Sequence, residues 1–117
     1  MELIEPLTEE TFNRTVDRPG LTVIDFWAAW CGPCRAMAPQ FDRAASLRPQ
    51  HQFAKVDVDA EPGLAARYGI CSIPTVVVLR DGEPIAAQTG LVGADQLVEA
   101  LDRFAAPAVK AVERDAA

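Results

Sequence analysis

Two spacings of hydrophobic residues alternate along the chain. Leu21 to Trp27, reading Leu-Thr-Val-Ile-Asp-Phe-Trp, is rich in β-branched and aromatic side chains and predicts a buried strand. Gln52 to Asp59 sets Ala54, Val56 and Val58 between polar neighbours and predicts a second core strand. Thr75 to Leu79 predicts a third. The turn pair Asp81-Gly82 then folds the chain back into a strand over Pro84 to Thr89, making a hairpin.

Helical spacing fills the gaps. Thr8 suits an N-cap, with Glu9 and Glu10 in a first turn that favours acids, and Phe12 and Val16 share one face before Pro19-Gly20 stops the helix. Cys34, Met37, Ala38, Phe41, Ala44 and Ala45 form the inward stripe of a longer helix, which Pro39 should kink. Pro62 can open a short helix that Gly69 ends in the left-handed conformation. Ala94 to Phe104 buries Leu97, Leu101 and Phe104 in the last helix, with Pro107 ending it.

Strands alternating with helices imply β-α-β crossovers, hence parallel pairing early in the chain and helices on both sheet faces. The closing hairpin adds an antiparallel edge. The expected fold is a three-layer α/β/α sandwich with a mixed sheet. Residues 1–106 are expected to form one domain, and the weakly patterned stretch 107–117 is expected to be a flexible tail.

Composition narrows the function. A chain of 117 residues, half of them hydrophobic, can bury a core without metals or several disulfides. Its net charge of −6 repels phosphate backbones and anionic lipid, arguing against nucleic-acid and membrane partners. No apolar run is long enough to span a bilayer, since Asp25 interrupts the strongest candidate. The start, Met1-Glu2-Leu3-Ile4-Glu5, is acidic where a secretory signal would be basic and then apolar. A cytoplasmic location is therefore expected, and there a close cysteine pair is catalytic or metal-binding more often than structural.

That pair is Cys31 and Cys34. Zinc needs four ligands, and beyond the pair the chain offers only Cys71 and His51, on or beside separate strands. A bridge closing so small a loop adds little stability. Redox chemistry remains, and the setting supports it: the motif follows a strand and opens a helix. Cys31 would sit at the helix N-terminus, where free N–H groups stabilise a thiolate, and Pro33 fits the first turn. Cys34 would lie one turn below on the inward face. Cys31, exposed, should attack a substrate disulfide, and Cys34, covered, should resolve the mixed disulfide.

The run Phe26-Trp27-Ala28-Ala29-Trp30-Cys31-Gly32-Pro33-Cys34-Arg35 resembles the active-site signature of thioredoxins. The resemblance continues through Pro39, Tyr68-Gly69-Ile70, Ser72-Ile73-Pro74-Thr75, Asp81-Gly82 and Gly90, covering roughly residues 2 to 105. It implies a sheet of about five strands flanked by four helices. It also implies that Asp25, a carboxylate within an apolar strand, moves the proton of Cys34 and that Lys55 tunes Asp25. The Ile73–Pro74 bond is expected to be cis. Trp30, Gly32, Pro33, Ile73, Pro74 and Gly90 are expected to form an apolar platform around Cys31, where the Ile73 backbone pairs with extended substrate. Trp27 is expected in the core beneath the active-site helix.

The function implied is reduction of disulfides in protein substrates by a monomer that binds neither metal nor cofactor. A nucleotide-binding Gly-X-Gly-X-X-Gly run is absent from the sequence, so electrons should come from a separate NADPH-dependent flavoprotein, a thioredoxin reductase. A disulfide oxidase or isomerase, or a binding module independent of redox chemistry, are the alternatives on the same fold. Cys71 departs from the family pattern, and two readings stand open: a semi-buried inert thiol or a third redox thiol. His51 is expected on the surface.

Overall fold

Residues 4–106 are described by a computed structural model, and the expectations for Pro107 and the tail lie outside them. The elements run β1 (Ile4–Pro6), α1 (Phe12–Val16), β2 (Leu21–Trp27), α2 (Gly32–Leu47), β3 (Gln52–Asp57), α3 (Pro62–Arg67), β4 (Thr75–Arg80), β5 (Glu83–Thr89) and α4 (Ala94–Phe104). The five strands form one sheet in the order β1-β3-β2-β4-β5.

Strand alternation divides the core into two layers. On one face Val23, Val76 and Val78 pack under Met37 and Phe41 of α2 and Leu97 and Leu101 of α4. On the other, Ile24, Phe26 and Val56 pack under Phe12 and Val16 of α1 and Leu64 of α3. The expected three-layer architecture and mixed sheet are thus present.

The pairing pattern differs from the expectation in one respect. Strands β1 and β2 both run parallel to β3, but β4 is already antiparallel to β2, and β5 is antiparallel to β4. The connection over residues 58–74, with α3 in it, leaves the chain at the end of the sheet where β3 stops, so β4 starts there and runs back. Thr75 accordingly pairs with Phe26, at the same end as the Trp27–Asp57 pair.

Local chemistry sets most boundaries. Strand β3 ends two residues earlier than expected because the Asp57 carboxylate accepts the N–H groups of Asp59 and Ala60 and turns the chain. Gly69, at φ +63°, follows α3, where Gly69 N–H donates to the Ala66 carbonyl and Ile70 N–H to the Ala65 carbonyl. Those two bonds make a Schellman cap. Asp81 and Gly82, both with positive φ, form the hairpin turn, and the Asp81 carboxylate accepts the Gly20 N–H at 2.7 Å.

Three details of the helices also depart from the expectations. Thr8 and Thr11 exchange side-chain and backbone hydrogen bonds and close a separate turn holding Glu9 and Glu10, so α1 begins only at Phe12. Ala38 is exposed rather than inward, because it faces the cavity beside Asp25 instead of packed side chains. Phe104 is half-buried. Helix α2 continues through Pro39 to Leu47. Strand β1 had no signal in the pattern: it is three residues long, half-exposed and ends in a proline tolerated at a sheet edge.

Candidate active site

Cys31 is the N-cap residue of α2. Its extended backbone, φ −89° and ψ 112°, turns its Sγ back to accept the Cys34 N–H at 3.2 Å. An N-cap acceptor satisfies a donor that the helix itself leaves free, and a sulfur there is stabilised as an anion. Pro33 occupies the first turn, where its missing N–H costs nothing. Cys31 and Cys34 are joined as a disulfide with Cα atoms 5.2 Å apart.

Cys31 is less accessible than expected. It is 5% exposed and Cys34 3%, a small difference between two thiols assigned opposite positions from sequence. The bridge draws both sulfurs inward against Ala28, with Trp27, Val58 and Ile73 packed around them. Access is left over Gly32, where a β-carbon would meet nothing within 4 Å.

Antiparallel β4 brings the segment before it to the same place. The Ile73–Pro74 peptide is cis, and the Ile73 carbonyl oxygen lies 3.8 Å from Cys31 Sγ. Pro74 is buried, contrary to its expected place on the platform surface. It faces inward as the first residue before a fully covered strand, and its carbonyl accepts the Gly90 N–H at 2.8 Å. Gly90, at φ +95°, adopts a backbone that side-chain-bearing residues rarely tolerate.

Around these residues lies an apolar surface. Trp30 is 68% exposed and Leu91 56%, with Gly32 and Pro33 exposed and Ile73 and Gly90 half-buried. The Trp30 indole N–H donates to Asp59 Oδ2 at 2.7 Å, fixing the ring against the β3 end of the sheet. Leu91 and Asp59 went unrecognised in the sequence. A bulky apolar residue in the short Gly90–Gly93 loop was the available signal for Leu91.

Beneath the disulfide, Asp25 projects from β2 on the α2 side, and Lys55 lies opposite it in register on β3. Asp25, Trp27, Cys34, Arg35, Ala38 and Lys55 line one cavity of about 120 Å³. Asp25 is 5% exposed, and its Oδ1 is buried without a hydrogen-bond partner. Burial pushes its pKa up to about 6, with the Lys55 charge pulling the other way. The Lys55 ammonium forms no salt bridge with Asp25 and instead lies 5.5 Å from the centre of the Trp27 ring. Trp27 is only half-buried.

The other two singled-out residues also differ from expectation. Cys71 is exposed rather than semi-buried, since its neighbours Ile70 and Ile73 take the loop's core contacts, and its thiol donates to the Gly69 carbonyl at 3.5 Å. His51 is half-buried at the far end of the sheet from the cysteines, beside the Arg48–Asp102 ion pair. Burial lowers its pKa, and its Nε2 has no partner. Among the described residues no three His, Cys, Asp or Glu side chains gather as a metal site would require. Nor is any helix there long and apolar enough to cross a membrane.

The chain matches the family described as Thioredoxin over residues 3–103. A Streptomyces coelicolor protein named as a second thioredoxin is 45% identical over 84 residues, which cover 72% of this chain and 63% of that protein. Thioredoxins from Staphylococcus aureus strains Mu50 and MW2 are each 39% identical over 101 residues, covering 86% of this chain and 96% of theirs. With these likenesses across nearly the whole domain and a disulfide capping α2, the chain belongs to the thioredoxin family and is a thiol–disulfide oxidoreductase, an enzyme of the protein-disulfide reductase class.

Proposed function

We propose that Cys31 attacks disulfides in protein substrates, that Cys34 resolves the resulting mixed disulfide, and that Asp25 handles the Cys34 proton. The observation that carries this reading is the Cys34 N–H held 3.2 Å from Cys31 Sγ at a helix N-terminus. In the reduced protein the Cys31 thiolate forms a bond to one substrate sulfur, and the other leaves as a thiolate and takes up a proton. Cys34 then loses its proton to Asp25 and attacks Cys31 Sγ. The Cys31–Cys34 bridge closes, and the first substrate sulfur departs and is protonated. Two electrons pass to the substrate together with two protons, one from Cys34 by way of Asp25 and one from solvent.

Asp25 suits that role because it shares the small cavity with Cys34 and titrates near about 6, close to working pH. Lys55 keeps its carboxylate form within reach by opposing the burial effect. Trp27 walls the cavity, while Gly32 and Pro33 leave the approach to Cys31 low. Trp30, Ile73 and Gly90 offer the docking surface, with Pro74 supporting it from beneath.

The same reading has the protein work as a monomer in the cytoplasm without a metal or bound cofactor. A separate NADPH-dependent thioredoxin reductase would reduce the bridge by thiol exchange. NADPH oxidation coupled to insulin reduction, with a thioredoxin reductase present, tests this directly. Wild-type protein should turn over, Cys31→Ser should not, and Cys34→Ser should accumulate a mixed disulfide visible on a non-reducing gel. Turnover by Cys31→Ser, or none by wild type, would overturn the assignment.

A further inference from the structure

Loop 90–93 joins β5 to α4 and carries Leu91, one of the most exposed large apolar side chains among the described residues, next to Gly90, whose N–H is bound by the Pro74 carbonyl. Gly93, the N-cap of α4, has no side-chain oxygen, and its own N–H donates to Gln96 Oε1 at 3.3 Å, which leaves the Val92 and Ala94 N–H groups to be met from outside α4. Helix α2 meets both. The Val92 N–H donates to Met37 Sδ at 3.5 Å, and the Ala94 N–H donates to Gln40 Oε1 at 2.9 Å. Met37 is fully buried, so its sulfur is held in place by the core.

Met37 and Gln40 follow Cys34 at steps of three along the same helix. The Gly90 N–H is meanwhile bound to the Pro74 carbonyl, next to the Ile73 carbonyl that approaches Cys31. The loop is thus tied at one end to the proline segment and at the other to the helix that bears both cysteines.

We infer that Gln40, assisted by Met37, is a positioning residue for protein substrates: it holds loop 90–93, and with it Leu91, at a fixed distance from the Cys31–Cys34 helix. This rests on the disulfide-reductase reading of the site and adds to it a determinant of protein docking that touches no reacting atom. A loop that visits its docking position only part of the time binds more weakly by that fraction. Loss of one hydrogen bond of ordinary strength, about 1 kcal/mol, makes that factor about fivefold.

The test uses Gln40→Leu, which removes the acceptor at similar volume, and Gln40→Glu, which keeps an acceptor oxygen. Each is assayed on insulin and on a small aromatic disulfide that needs no docking surface. Gln40→Leu should raise KM for insulin about fivefold with kcat and the small-disulfide rate unchanged, and Gln40→Glu should restore KM. Met37→Leu should shift KM in the same direction. An unchanged insulin KM in folded Gln40→Leu would overturn the inference, as would equal losses on both substrates. Failure of the wild-type protein on both substrates would instead sink the reductase reading itself.

Discussion

Asp25→Asn isolates the energetic cost of holding a carboxylate behind the disulfide. Burial lifts the Asp25 pKa from 3.8 to about 6. The folded protein therefore keeps a proton that the unfolded chain releases in this interval. Where the native state binds more protons, stability falls as pH rises, so the loss begins near pH 3.8 and is complete above about 6. The difference, 6 minus 3.8, corresponds to roughly 3 kcal/mol at about 1.4 kcal/mol per pH unit. Because Asp25 is only 5% exposed, water screens little of this.

Asparagine has nearly the same volume and does not titrate, so its burial cost is independent of pH. Urea unfolding of the oxidised proteins, followed by tryptophan fluorescence from pH 4 to pH 8, separates the two contributions. The variant should gain about 2.5 kcal/mol relative to wild type across that range, on top of a constant offset from the amide. A difference between the two proteins that stays level from pH 4 to pH 8 would show that Asp25 is not held in a desolvated site.

Two further outcomes follow from the same packing. Lys55→Met removes the charge that opposes burial, so the Asp25 midpoint should move above 6, as read from the carboxyl ¹³C shift during an NMR titration. Phe41 is 2% exposed and meets Phe53 edge-on with ring centres 5.4 Å apart, so Phe41→Ala should cost about 3–5 kcal/mol in denaturant unfolding.

What the sequence disclosed follows from the range of the interactions involved. Leu21–Trp27 and Ala94–Phe104 have the boundaries read from pattern alone, because the first is a continuous run of β-branched and aromatic residues buried on both faces and the second buries a helical stripe. The cysteine motif was equally plain, since strand, turn and helix N-terminus are all local. Strand β1 was invisible because three half-exposed residues gain their pairing from β3, about fifty positions away. The burial of Cys31 and Pro74 depends on segments that meet only in three dimensions. Ala38 fits the helical period but faces a cavity, which no period can encode. His51 is covered by its place in the fold beside Asp102, more than fifty residues ahead.

The direction of β4 ties these observations to function. Had β4 run parallel to β2, its first residue would lie at the far end of the sheet, about 20 Å from the place it occupies. Ile73 and Pro74 would then be remote from Cys31, and the Pro74 carbonyl could not anchor Gly90 beside the disulfide. As it is, β4 begins beside Phe26, five positions before Cys31 in the chain. Three distant stretches, one bearing both Asp25 and Cys31 and the others Ile73 and Gly90, therefore converge on one end of the sheet. The connection that returns the chain beside the end of β3 is thus part of how the active site is built, although its helix α3 contributes none of the residues that line the Asp25 cavity or pack around the cysteines.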